Sequence, residues 1–96
     1  MQVAQTILSQ LGGNRFIAMT GAKGFAAAER TLVFSIGRNS SKVNRVRINL
    51  DGNDTYTLEF SRYANYQHKT LKTYEGVYAD MLQELFTEYT GLYTRF

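Results

Sequence analysis

The sequence contains no cysteine, no proline and no tryptophan, and its one histidine is His68. Without cysteine the chain can form no disulfide, no cysteine–zinc site and no thiol nucleophile. A lone histidine beside a predicted turn and next to Lys69 is best interpreted as a solvated side chain rather than as a general base. Without proline, the turns must depend on Gly, Asn, Asp and Ser.

Long apolar runs are also missing. No stretch reaches the roughly 18 uninterrupted apolar residues of a membrane span, and the start lacks the basic-then-apolar layout of a signal peptide. We therefore expect no membrane association and a cytoplasmic location, which is the host cytoplasm if the chain is phage-encoded. A length of 96 residues with 44% hydrophobic and 20% charged residues favours a single folded domain, 1–96.

Acidic residues are scarce before residue 75. Residues 1–74 contain ten of the eleven basic residues and four acids, a net charge of +6, whereas residues 75–96 have a net charge of −3. Such asymmetry is typical of a domain in which one surface meets an anion. The alternative interpretation is that these charges are only solvated.

Hydrophobic periodicity predicts the elements of the first third of the chain. Residues 3–11 place Val3, Ile7 and Leu11 on one helical face, and Gly12-Gly13 follows as a stop signal. Residues 15–20 indicate a strand with both faces rather apolar. Residues 21–24 favour a turn, and residues 26–29 have a mild helical preference.

Alternation of apolar and polar residues predicts strands over 31–36, 44–50 and 55–63, with a short fifth strand over 68–74. Residues 37–42 form a basic polar loop, and Asp51-Gly52-Asn53-Asp54 is typical of a hairpin turn. The residues expected to face the core are Leu32, Phe34, Ile36, Val46, Ile48, Leu50, Tyr56, Leu58 and Phe60.

Residues 78–90 form the clearest predicted helix, and Gly91 follows where a helix ends. Its apolar residues span an arc of about 180°, wider than the roughly 100° that one sheet contact requires. Either the amino-terminal helix and the tail (Leu92, Tyr93, Phe96) cover the excess, or a second subunit does. The oligomer interface predicted on the second alternative consists of Tyr78, Leu82, Phe86 and Tyr89.

These elements predict an α+β fold. An antiparallel sheet of four or five strands is flanked by a short amino-terminal helix and a longer carboxy-terminal helix, in two layers. One sheet face packs on the helices, and the other is polar and open.

The open face carries the candidate functional residues. Arg45 and Arg47 are two residues apart on one strand, so both guanidiniums lie on the same side. Tyr63 shares that side and offers a ring on which an unpaired base can stack. Basic charge that follows a backbone, combined with aromatic platforms, is how proteins hold single strands. The predicted nucleic-acid-binding residues are Arg45, Arg47, Lys42, Arg38, Lys23 and Tyr63.

Catalysis is not predicted, and no cofactor or metal is expected. Residues 51–55 lack the sixth-position glycine and the closing glutamate of a calcium loop. The glycines between 13 and 24 lack the spacing and the Lys-Ser/Thr pair of a phosphate loop. Because the acids are scattered, a small hydrolase or nuclease is kept only as a third alternative.

From Arg45 onward the layout resembles the PC4-like transcriptional-coactivator family of single-stranded-DNA-binding proteins. The resemblance consists of a basic strand (45–48), a glycine turn (51–53), a strand of aromatic-x-aliphatic-x-x-Arg-x-Tyr form (56–63) and Gly76-Val77 opening an amphipathic helix. It implies a dimer whose carboxy-terminal helices pair and whose sheets hold a single strand through Arg45 and Arg47. The chain departs from the family by a less basic stretch before the last helix and by an added amino-terminal helix.

Residues 7–23 are similar to small bacteriophage and prophage proteins of unassigned function, which implies a phage origin. The leading hypothesis is therefore a non-enzymatic, phage-type homodimer or higher homo-oligomer that binds single-stranded nucleic acid on its open sheet face. The alternative is a small phage module that docks on a host or virion protein through exposed edge strands or an acidic helix face.

Overall fold

The computed structural model describes residues 2–92 and residue 94. Their elements, in chain order, are α1 (Gln2–Leu11), α2 (Asn14–Thr20), β1 (Lys23–Ala28), β2 (Thr31–Ser35), β3 (Arg45–Leu50), β4 (Tyr56–Ala64), β5 (Gln67–Val77), a 3-10 turn (Ala79–Met81) and α3 (Leu82–Thr90). Among the described residues no helix has the length and apolar character needed to cross a bilayer.

The five strands form one antiparallel sheet in the order β1-β2-β3-β4-β5, so that each strand pairs with the one before it. Helix α1 packs on β2 and on α3, which places the helices on one face of the sheet. The α+β class and the helix-flanked antiparallel sheet are thus as the sequence predicts. Every core position predicted on β2, β3 and β4 is buried except Leu50, which is partly buried against the core.

The first helix ends where the sequence indicates. Gly12 and Gly13 adopt φ angles of 123° and 59°, which side chains disfavour, and the chain turns there directly into α2. A ten-residue helix is marginal alone, but burial of Ala4, Ile7 and Leu11 in the common core stabilises it.

The strand predicted over 15–20 is wrong, because Asn14–Thr20 is a helix. Phe16 and Thr20 are both buried, and their four-residue separation puts them on one helical face. Ala18, which a strand would have placed beside Phe16, is exposed. The buried Thr20 hydroxyl donates to the carbonyl of Phe16 at 2.7 Å, so that its polar group is satisfied within the helix.

Where the sequence predicts a turn over 21–24 and a helical preference over 26–29, the structure has an edge strand, β1. Alanine is the strongest helix former, yet Ala26, Ala27 and Ala28 pair with Val33, Leu32 and Thr31 of β2. Pairing with the neighbouring strand therefore overrides local propensity. All six residues of β1 are exposed.

The hairpin between β3 and β4 is confirmed, but its left-handed residue is Asp54 (φ 63°) rather than Gly52. Asn49 donates to one Asp51 carboxylate oxygen at 3.1 Å, and the Thr57 hydroxyl donates to the other at 2.8 Å. Asp51 thus stabilises the turn with its side chain.

The carboxy-terminal helix packs part of its apolar face on its own chain. Leu82 and Phe86 are fully buried in the core, so neither side chain is available to a second subunit. The predicted oligomer interface therefore cannot include these two residues. Tyr78 is 61% exposed, whereas Tyr89 is half-buried with its ring 4.8 Å from that of Phe60. With nine residues, α3 is not longer than α1, because its predicted first turn is the 3-10 turn. Tyr93 and Phe96 of the predicted tail lie outside the described residues.

Candidate nucleic-acid interface

Arg45 and Arg47 are exposed on the sheet face away from the helices, and the residues between and beyond them, Val46 and Ile48, are buried. The register aligns Arg45 with Ser35 of β2 and with Ser61 of β4. Lys23 of β1 pairs with Ser35 in turn, so Lys23 and Arg45 lie in one row across the sheet. With adjacent strands about 4.8 Å apart, their backbones are separated by roughly 10 Å.

Arg47 has an acidic cross-strand neighbour, whereas the cross-strand neighbours of Arg45 are serines. Glu59 of β4 lies directly opposite Arg47, and the two residues line a shallow depression of about 200 Å³ with Asn49 and Thr57. Directly opposed side chains of opposite charge attract each other across a sheet, which reduces the positive potential at the middle of the face. The positive charge of the open face is therefore concentrated around Arg45.

Tyr63 lies near the end of β4 on the same face as Ser61, and it is 48% exposed. The Tyr63 N–H donates to Asn44 Oδ1 at 2.8 Å, and Asn44 Nδ2 donates to the Tyr63 carbonyl at 2.8 Å. His68 of β5 is its cross-strand partner. These contacts fix the backbone that presents the Tyr63 ring to solvent.

The loop from Ile36 to Asn44 is held by side-chain hydrogen bonds. Asn39 Nδ2 donates to the carbonyls of Gly37 and Val43 at 2.9 and 2.6 Å, and Asn39 Oδ1 accepts from the Val43 N–H at 3.1 Å. The hydroxyls of Ser40 and Ser41 donate to the last carbonyls of α3, those of Thr90 and Tyr89. The loop therefore presents Arg38 and Lys42 from a braced backbone.

Two adjoining clefts, of about 390 and 330 Å³, lie at this end of the sheet and share Lys42 and Arg62. Arg38 lines the first cleft, and Lys69 lines the second. Arg62 Nη1 donates to the Lys42 carbonyl at 3.1 Å. Of the described residues that line these clefts, none is an aspartate or a glutamate.

Arg62 and Lys69 are also directly opposite each other on β4 and β5. Like charges in that position destabilise a sheet. An anion bound between them would remove the repulsion, so the pair favours an anionic ligand.

We name the six basic residues at this end of the sheet the basic end: Lys23, Arg38, Lys42, Arg45, Arg62 and Lys69. All six are exposed. The acids of the hairpin turns, Glu29, Asp51 and Asp54, lie at the opposite end of the sheet, where β1 meets β2 and β3 meets β4. The sheet thus has a cationic and an anionic end.

The basic end unites four predicted residues (Lys23, Arg38, Lys42 and Arg45) with Arg62 and Lys69, which sequence reasoning did not select. A signal for them exists in the sequence, since both residues are three positions from the nearer residue of the Asn65-Tyr66 turn.

Two other cations have structural partners. Arg30 donates to the carbonyls of Leu50 and Asp51, and the Lys72 ammonium lies 5.0 Å from the centre of the Tyr74 ring.

Anion binding is the chemistry that this arrangement supports. Among the described residues no three His, Asp or Glu side chains cluster so that they could hold a metal ion. Burial, with smaller contributions from Glu88 and Tyr89, raises the pKa of Tyr74. The charge at the basic end is set by its lysines and arginines.

Comparisons of this chain with the models of known protein families, with curated proteins and with solved structures find no match.

Proposed function

We propose that this protein is a non-enzymatic, phage-type binding protein for single-stranded nucleic acid, which it holds on the open sheet face and at the basic end. The observation that carries the proposal is the segregation of charge: six exposed cations lie at one end of the sheet, and the acids of the hairpin turns lie at the other. A polyanion is the ligand that the cationic end of such a surface attracts.

The placement of these side chains supports a path for the strand across the open face. Lys23 and Arg45 in their cross-sheet row provide phosphate contacts on the open face, and the exposed Tyr63 ring lies on the same face. Aromatic rings add affinity by stacking on bases that are not paired, which favours single strands over duplexes. The clefts beside Lys42 and Arg62 can take up further phosphates at the end of the sheet.

Binding is expected to weaken steeply with salt. Each phosphate neutralised on a single strand lowers the slope of log K against log salt by about 0.7, so contacts from four to six cations give a slope of about −3 to −4. Titrating a fluorescein-labelled oligothymidine by anisotropy between low and physiological salt measures this slope. The same sequence as a duplex is the control, and it should bind more weakly.

A flat salt response, or no binding of any oligonucleotide at low salt, would contradict the proposal. The solution mass should be measured in the same buffer, because a homodimer is part of the proposal and implies twice the chain mass of 10.9 kDa. With Leu82 and Phe86 inside the core, the exposed Tyr78 and the half-buried Tyr89 are the residues of the predicted interface on which such a dimer can pack.

A second candidate function, protein docking, is favoured by the edge strand β1. One side of β1 pairs with β2, and no other strand of the described residues pairs with its second side; the β1 residues are all exposed and mostly small and apolar. A free edge of this kind accepts an added strand from a partner. Under this alternative the chain binds no oligonucleotide at any salt concentration.

A further inference from the structure

The end of the β4–β5 hairpin, residues 62–70, is exposed except at Ala64 and has a strained aromatic residue at its tip. We call this segment the arm. Ala64 pairs with Gln67, which leaves Asn65 and Tyr66 as a two-residue turn with φ angles of 53° and 63°. Turns with positive φ at both central residues prefer Asn-Gly, because glycine has no Cβ to clash in the left-handed region.

Tyr66 occupies the position that glycine prefers. A bulky residue at positive φ is a strained outlier, and strain of this kind concentrates at functional sites. The side chain is 94% exposed, so contacts within the chain do not compensate for the strain. The turn therefore holds an aromatic ring where only something outside the chain can pack on it.

The surroundings of the ring are cationic. The arm contains no acidic residue, and Arg62 and Lys69 lie opposite each other at its base. Tyr63 and His68 are paired between that base and the tip, with Tyr63 on the open face. The tip is about 15 Å beyond the Arg45–Ser61 pair at the usual strand rise, a distance that a few nucleotides can span.

We propose that the arm is a second contact for single-stranded nucleic acid, in which Tyr66 stacks on an unpaired base and Arg62 and Lys69 bind the phosphates beside it. This inference rests on the proposed function, since it extends the same strand beyond the sheet face. An aromatic ring with flanking cations, in an arm that contains no carboxylate side chain, matches a base and its phosphates better than it matches an apolar surface.

The test compares Tyr66→Gly with Tyr66→Phe. Glycine keeps the turn geometry and removes the ring, so Y66G should raise the melting temperature while weakening oligonucleotide affinity about 5- to 150-fold, the usual effect of losing one stacked base. Y66F keeps the ring and should retain the wild-type affinity within about twofold. Because Tyr66 is uncharged, the salt slope should be the same in all three proteins.

Several results would overturn the inference. If Y66G binds as tightly as wild type while replacement of both Arg45 and Arg47 with glutamate abolishes binding, the arm is not a contact and the proposed function stands. Equal losses in Y66G and Y66F would exclude stacking. If the wild-type protein binds no oligonucleotide at low salt, the proposed function itself fails and the arm proposal fails with it.

Discussion

Replacing both arginines of β3 with glutamate, R45E together with R47E, is expected to weaken oligonucleotide binding at least about 100-fold at low salt. The change removes two positive charges from the open face and adds two negative ones beside Glu59, so that phosphate contacts are replaced by repulsion. The fold should persist, because both side chains are exposed and the inward residues of β3 are unchanged. Anisotropy titration measures the loss, and circular dichroism checks the fold.

The matched control is R15E together with K72E, which changes the net charge equally but away from the open face. Arg15 is exposed on α2, and Lys72 is exposed beside Tyr74. This control should lose far less affinity than the β3 variant. Equal losses in the two variants would show that total charge, rather than this surface, governs binding.

The two arginines are not expected to contribute equally. Arg47 lies opposite Glu59, whereas the cross-strand neighbours of Arg45 are Ser35 and Ser61. Because part of the charge of Arg47 is compensated within the sheet, R45E alone should weaken binding more than R47E alone. The opposite order in the same titration would place the centre of the interface at the middle of the face instead of at the basic end.

Strand alternation is the part of this fold that the sequence predicts well. In β2, β3 and β4 a period of two predicts which apolar side chains face the core, and those assignments are confirmed except at Leu50, which is only partly buried. The errors fall where the pattern has no such period. Residues 15–20 are apolar on both faces of a strand, and the alanines of β1 carry a helical preference that pairing with β2 overrides.

For the candidate site, the sequence predicts on which face a residue lies but not its neighbours. The faces of Arg45 and Arg47 follow from alternation alone. The strand register decides that Glu59 faces Arg47 and that Lys69 faces Arg62. A single added or lost turn residue can change this register. The clefts beside Lys42 also require a loop fixed to α3 by Ser40 and Ser41, a long-range contact with no local signal.

Replacing Phe16 with alanine is expected to lower the free energy of unfolding by about 3–5 kcal/mol, the usual cost of such a change in a core. The Phe16 ring is fully buried and packs edge-on against Phe34 and Phe86, with centroid distances of 5.4 and 5.1 Å. Its loss leaves a cavity where α2, β2 and α3 meet. Urea denaturation followed by circular dichroism measures the change, which is a large share of the roughly 5–15 kcal/mol that stabilises a small domain.

The control for this prediction is Ala18→Glu, because it separates a helix from a strand over these residues. In a strand, residue 18 shares the face of Phe16, and a buried glutamate would destabilise the core severely. In helix α2, Ala18 is exposed, so A18E should change the free energy of unfolding by no more than about 0.5 kcal/mol. A loss with A18E as large as that with F16A would contradict the helix, and with it the core that fixes the position of the sheet.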